Sequence, residues 1–266
     1  MTAINVYDQK YDQHPLQAPT QRYVILSLER TGSTYLSRRL CNVTGRFGVP
    51  SEFLRPGAIN LLAPRLFPGA SLQNKVGFDQ YLEAVERIRT TADGSFGIKV
   101  QPNHICNRAA WEQGGGLAFL KRFDRIIVLT RRDKLRQAVS TAIATASGTW
   151  HQYADDSDPD LKGVDIAALF PDVARRLSQY IDEEALVVAA SQAIDRPVLH
   201  LEYEEIERDG DLAFAKSVEF LTDGVNTAMQ EDPNFMPLPR KPRGNLATQI
   251  SNRFIEYLCA SNASPG

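Results

Sequence analysis

The chain has 266 residues, 43% of them hydrophobic and 23% charged, with 30 Lys and Arg against 32 Asp and Glu and a formal net charge of −2. This composition excludes a disordered or collagen-like chain, and the charge balance gives no global attraction to nucleic acid or an anionic membrane. Any anion must therefore be held by a local cluster of donors. Three scattered cysteines, Cys41, Cys106 and Cys259, include no C-x-x-C pair, so neither a disulfide framework nor a zinc site is indicated and free thiols in a reducing compartment are expected. The opening residues are polar, without the apolar region of a signal peptide, and no run reaches the length of a membrane span. A cytoplasmic protein is the expectation.

Residues 1–21 are predicted to form a flexible or draped arm, rich in Gln, Asp and Pro, ahead of a single domain over 22–266. RYVILSL (22–28) is an apolar, β-branched run of strand length, suited to a parallel strand covered on both faces. STYLSRRLCNV (33–43) has helical spacing, with Tyr35, Leu36, Leu40 and Val43 on one side. Residues 44–75, dense in Gly and Pro, read as loop. FDQYLEAVERIRTTA (78–92) reads as a helix, and SFGIKVQP (95–102) as a second strand ended by proline. A helical stretch from about 103 to 122 is expected to break near Gly114–Gly116. RIIVLT (125–130) is the third strand and 134–147 the next helix. A polar loop follows over 148–163. Residues 165–194 are predicted mostly helical, with a break at Asp182–Glu183. VLHLEY (198–203) is the fourth strand, followed by a helix over 211–222. Prolines fragment the following stretch, and LATQISNRFIEYLCA forms a last helix. Strands alternating with helices predict an α/β fold of three layers, a mainly parallel sheet with helices on both faces.

Two places on this sheet have anion chemistry. SLERTGST joins the first strand to the first helix, where backbone N–H groups at a helix N-terminus cradle a phosphate. Gly32 allows a tight turn, Ser33 and Thr34 add hydroxyls, and Arg30 adds a planar, permanent cation. A nucleoside-triphosphatase loop would read G-x-x-x-x-G-K-[ST]. Here Ser27 replaces the leading Gly and Ser33 the Lys, which removes the triphosphate and metal apparatus. Second, the third strand ends at Arg131 and Arg132, on the edge where open α/β sheets bind ligands, and Ser140 follows on the next helix. Cations at a helix start oppose its dipole, which hints at a bound anion. Two anion sites on one sheet edge fit a nucleotide with separate phosphates.

These segments, strand-R-T-G-S-T-helix, strand-R-R-D with Q-A-V-S (137–140), and strand-E-Y-E-E-I (202–206), together resemble sulfotransferases that use 3′-phosphoadenosine 5′-phosphosulfate (PAPS). The likeness covers about residues 22–257 and is strongest to the bacterial group that includes trehalose 2-sulfotransferase. It implies the P-loop-like sulfotransferase fold, transfer of a sulfuryl group to a hydroxyl of a carbohydrate or glycolipid, PAPS as donor, no metal, and a homodimer. It places the 5′-phosphosulfate at Arg30, Thr31, Gly32, Ser33 and Thr34. The 3′-phosphate falls at Arg131 and Ser140, with Arg243 closing over it. Arg132 stands where the family often has proline, so either arginine could face the phosphate. Pro50-Ser51-Glu52-Phe53 matches the segment that supplies the catalytic base, giving that role to Glu52. Gly97-Ile98-Lys99 matches a G-x-K strand, which makes Lys99 the second cation, and Trp150 and His151 fall in the acceptor loop.

A carboxylate is a weak base unless its surroundings raise its pKa, and Phe47 and Phe53 are the nearby apolar candidates. His104 and His151 are rival bases. Two other readings of the residues stand beside this one: a small-molecule kinase on the same strand-loop-helix, and a non-catalytic nucleotide-binding protein of this fold.

Overall fold

The computed structural model describes residues 5–14, 16–68, 77–153, 156–157, 159, 161, 163–225, 230–240 and 245–262. Chain order runs β1 (Gln21–Ser27), α1 (Ser33–Asn42), α2 (Pro56–Leu66), α3 (Phe78–Arg89), β2 (Ser95–Val100), α4 (Pro102–Ile105), α5 (Arg108–Glu112) and α6 (Gly115–Leu120). It continues with β3 (Arg125–Thr130), α7 (Lys134–Ser147), α8 (Phe170–Ala193), β4 (Val198–Glu202), α9 (Tyr203–Arg208), α10 (Gly210–Leu221) and α11 (Leu246–Asn262). The four strands are all parallel, in the order β2-β1-β3-β4.

Each strand is apolar on both faces because each face is covered. On one side Val24, Leu26, Phe96, Ile98, Ile126 and Val128 pack with residues of α2, α3, α6 and α8. On the other, Tyr23, Ile25, Ile127, Leu129 and Leu201 pack against Leu36 and Leu40 of α1 and Phe214 of α10. A third cluster joins α7, α8 and α11 beyond the sheet edge. This is the three-layer arrangement expected of the alternating pattern.

Two expectations from the sequence are corrected. Residues 44–75 are not loop throughout: α2 forms at 56–66. Pro56 sits at its first position, where no N–H is needed, and Pro64 lies near its far end; the buried Ala58, Leu62 and Ala63 hold the helix to the core. Nor does the acidic pair Asp182–Glu183 break α8, which runs unbroken for 24 residues. The buried Val173, Tyr180 and Val187 keep one apolar stripe through that point, while Asp182 pairs outward with Arg108 and Glu183 accepts from Gln179 one turn earlier. The break expected near 114–116 occurs at Gly114, with φ +96°, and a second falls before Asn107, whose side chain caps α5.

The arm before β1 is draped on the body over its described residues. Tyr11 is buried, and Asp12 pairs with Arg65 at 2.5 Å and with the buried Arg89 at 3.3 Å.

Gly97 is fixed by packing rather than by its φ. It lies beside Tyr23 in the β1–β2 register, and a Cβ there would stand 2.2 Å from the Tyr23 ring, whose hydroxyl donates to the Phe47 carbonyl at 2.7 Å. Gly97→Ala is expected to destabilise the fold by about 1–3 kcal/mol through this overpacking. Thermal unfolding checks it, and an unchanged midpoint would show that the ring moves at no cost.

Candidate active site

The chain passes from β1 outward to β2 and then back across to β3, so the strand order reverses between β1 and β3. In an open α/β sheet the ligand crevice forms at that point, outside the C-terminal strand ends. A cavity of about 700 Å³ lies there, lined by the loop after β1, the start of α1, Glu52, the end of β2, Arg131, α7 and the loop over 149–152.

The loop after β1 is held from below. Thr31 Oγ1 donates to the Leu28 carbonyl at 3.0 Å, and Gln137 Nε2 donates to the Glu29 carbonyl at 2.6 Å. The Tyr180 hydroxyl donates to the Glu29 carboxylate at 2.7 Å. Arg30 takes φ +61°, a left-handed conformation that costs a non-glycine residue roughly 1–3 kcal/mol and clusters at functional sites. Gly32 follows at φ +80°, where a Cβ would come within 3.1 Å of Ile206. It stands at the N-terminus of α1, whose first N–H groups receive no side-chain cap. Helix N–H groups without a cap, opening on a cavity, form an anion cradle. Gly32, Ser33 and Thr34 line the cavity, whereas Thr31 is fully buried and does not.

Arg30 and Arg131 stand together. Arg30 Nε donates to Ser140 Oγ at 2.9 Å, and its terminal nitrogen donates to the Trp150 carbonyl. Arg131 donates to the Arg30 carbonyl at 3.1 Å and stacks 4.2 Å from the Tyr203 ring centroid, while its Nε is buried with no acceptor among the described residues. Burial, and then the Arg131 charge, push the Arg30 guanidinium below its ordinary pKa; burial does the same to Arg131. Two cations lining one cavity, one of them buried with a donor to spare, suit an anion.

The structure separates the two arginines that the sequence leaves open. Arg131 lines the cavity, whereas Arg132 is 71% exposed and pairs with Glu202. Glu204 accepts from the N–H groups of Arg132 and Asp133, and Asp133 caps α7 through Arg136 N. Local acids thus answer the unfavourable placement of Arg132 at the helix start, and of the two arginines only Arg131 keeps a buried nitrogen without an acceptor among the described residues.

Glu52 also lines the cavity, but its surroundings are not those expected. Phe53 is buried in the core against Phe96, and Phe47 lies in the cluster on the other face of the sheet. Polar groups surround the carboxylate instead: Lys99 Nζ at 3.2 Å, Gln101 Nε2 at 3.4 Å and Arg55 at 4.0 Å. Burial alone would raise its pKa, but Lys99 and His104, with help from Arg55, overturn that and hold it at about 2. His104 is itself pushed below its ordinary value, first by burial. His151 lines the cavity and is exposed as a residue; desolvation of its ring, then the Lys99, Arg30 and Arg38 charges, lower its pKa. Trp150 is 41% exposed beside it. Arg243 lies outside the described residues.

The sequence assigned no role to Gln101, Arg240 or the motif residue Tyr203, all of which line the cavity. Strand alternation carried a signal for Gln101, two residues beyond Lys99 and so on the same face. Arg240 donates from its backbone to the Gln152 carbonyl at 2.8 Å and from Nε to the Tyr153 carbonyl at 2.9 Å, tying the loop after α7 to the segment before α11. Among the described residues no group of His, Cys, Asp and Glu could hold a metal, and no helix is long and apolar enough to cross a membrane.

Fold and site together define a parallel α/β protein with a cavity at the switch point of its sheet, where two arginines, a lysine and a carboxylate meet an uncapped helix N-terminus. The chain belongs to the Stf0 sulphotransferase family, whose sequence profile matches residues 22–163, just over half of its length. It is a sulfotransferase. No curated protein sequence matches it. Similar solved structures include a sulfotransferase from Alicyclobacillus acidocaldarius, 13% identical over 91% of this chain and 93% of that one, with a TM-score of 0.47. Retinol dehydratase, in complex with androsterone and the inactive cofactor PAP, is 13% identical over 94% and 67%, with a TM-score of 0.43. The sulfotransferase domain of the Synechococcus PCC 7002 olefin synthase is 15% identical over 91% and 96%, with a TM-score of 0.39.

Proposed function

We propose that the protein transfers the sulfuryl group of PAPS to a hydroxyl of a carbohydrate or glycolipid, with Glu52 as general base. The observation that carries the donor assignment is that Arg30 and Arg131 line one cavity, with Arg131 buried and its Nε without an acceptor among the described residues. In this reading the uncapped N–H groups of Gly32, Ser33 and Thr34, with Arg30, hold the 5′-phosphosulfate. Arg131 and Ser140 hold the 3′-phosphate, and Arg243 closes over it.

Sulfuryl transfer resembles phosphoryl transfer in its needs: positioning, and stabilisation of the charge spread over attacking and leaving oxygens. The bond from the acceptor oxygen to sulfur forms as the bond from sulfur to the 5′-phosphate oxygen breaks, and the hydroxyl proton passes to Glu52. Arg30 and Lys99 are the cations placed to stabilise the oxygens at the centre of that exchange. Trp150 and His151 supply an aromatic face and a polar edge, which suit the apolar ring face and hydroxyl rim of a sugar.

A thermal-shift comparison tests the donor class. Adenosine 3′,5′-bisphosphate is expected to raise the unfolding midpoint in a concentration-dependent way, because it binds only the folded state. ATP with magnesium is expected to have little effect, since Ser33 replaces the phosphate-binding lysine. Stabilisation by ATP-magnesium alone would reverse the assignment in favour of a kinase.

A further inference from the structure

Lys99 does more than serve the transferring group, because its position links the two halves of the site. It is the penultimate residue of β2, registered opposite Ile25 of β1. Its side chain is 8% exposed and ends between the two halves of the site. From there Nζ donates to Thr34 Oγ1, in the anion cradle, at 3.0 Å and meets Glu52 Oε1 at 3.2 Å. An ammonium has three donors and no acceptor, so one buried cation is divided between the hydroxyl that borders the donor site and the carboxylate that faces the acceptor.

We propose that Lys99 couples donor occupancy to the proton-accepting ability of Glu52: without donor it locks the carboxylate in an ion pair, and an anion in the α1 cradle draws its ammonium toward Thr34 and releases the base. This rests on the reading of Glu52 and of the cradle given above. The consequence is an ordered reaction, with donor before productive acceptor, which keeps the base from acting on an acceptor while no sulfuryl group is present.

The charged and titratable groups facing Glu52 are limited. Lys99 comes from β2, His104 from α4, Arg55 from the residue preceding α2, His151 from the loop after α7 and Tyr7 from the N-terminal arm. Arg55 is half-exposed at 4.0 Å, and burial lowers the pKa of His104. Lys99 is the buried, close cation among them, and it alone also touches the cradle.

The test is a carboxyl-carbon NMR titration of Glu52 in protein carrying glutamate labelled at Cδ, assigned with Glu52→Gln, with and without adenosine 3′,5′-bisphosphate. In the wild type the nucleotide is expected to raise the Glu52 pKa by about one unit or more, the range set by gain or loss of a neighbouring charge. In Lys99→Met the carboxylate is expected to titrate at the higher value already without nucleotide, and addition of nucleotide to move it less. An equal nucleotide-induced rise in wild type and Lys99→Met would overturn the proposal, because the phosphate charge would then act directly. No rise in the wild type, with nucleotide binding confirmed by calorimetry, would also overturn it. Absence of nucleotide binding altogether would instead refute the donor assignment. Lys99→Gln, measured in parallel, keeps a hydrogen-bonding side chain at this buried position should the Met variant fail to fold.

Discussion

Glu52→Gln is expected to lower turnover by about 10²–10⁴-fold, the usual contribution of a positioned general base, while adenosine 3′,5′-bisphosphate binds at least as tightly as to the wild type, since no carboxylate then competes for Lys99. The amide keeps the shape of the carboxylate and can still accept from Gln101, but it cannot take a proton. It also removes the partner of a buried ammonium, so part of the loss reflects Lys99 settling elsewhere. Measuring nucleotide affinity by calorimetry and turnover by mass gain of an acceptor separates these effects. A variant with wild-type turnover would remove Glu52 from the mechanism and return His104 and His151, which line the same cavity, as candidates. Because Lys99 and His104 hold the carboxyl at about 2, Glu52 is ionised over the whole working pH range in the free enzyme. Its acid limb in activity against free enzyme therefore lies well below pH 4.

Arg131→Ala is expected to weaken binding of adenosine 3′,5′-bisphosphate by roughly 10–100-fold, the worth of charge-assisted hydrogen bonds of about 1.5–3 kcal/mol. Arg132→Ala is expected to leave affinity close to that of the wild type, since Arg132 is exposed and paired with Glu202 outside the cavity. The contrast between adjacent arginines makes the experiment sharp. Equal losses in both variants would indicate a diffuse electrostatic effect, and a loss confined to Arg132→Ala would contradict the site as drawn. Arg131→Lys should recover only part of the affinity, because an ammonium lacks the planar fork that both stacks on Tyr203 and donates to an oxyanion.

The strands were legible because a buried parallel sheet writes itself as short, wholly apolar, β-branched runs: RIIVLT is β3 residue for residue, and β1 differs by one position at each end. Helix α2 was not legible, because its Pro56, Gly57 and Pro64 are loop residues by local propensity, and only the buried Ala58, Leu62 and Ala63 override them. The anion cradle could be read from Arg30 to Thr34, since a β-turn-α junction with Gly32 follows from local chemistry. What local chemistry does not show is which side chains converge from afar. Arg131 reaches the Arg30 carbonyl across 101 positions, and Arg240 reaches the loop at Gln152 and Tyr153 from a proline-broken stretch without periodicity. The surroundings of Glu52 were misjudged for the same reason. Its sequence neighbour Phe53 points into the core, and the groups that set its charge come from β2 and α4.

The most direct measurement is a crystal structure of the protein with adenosine 3′,5′-bisphosphate. The account predicts the 5′-phosphate on the backbone N–H groups of Gly32, Ser33 and Thr34, and the 3′-phosphate within hydrogen-bonding distance of Arg131 Nε and Ser140 Oγ. Nucleotide bound away from the crevice between β1 and β3, or with both phosphates remote from Arg131, would contradict it.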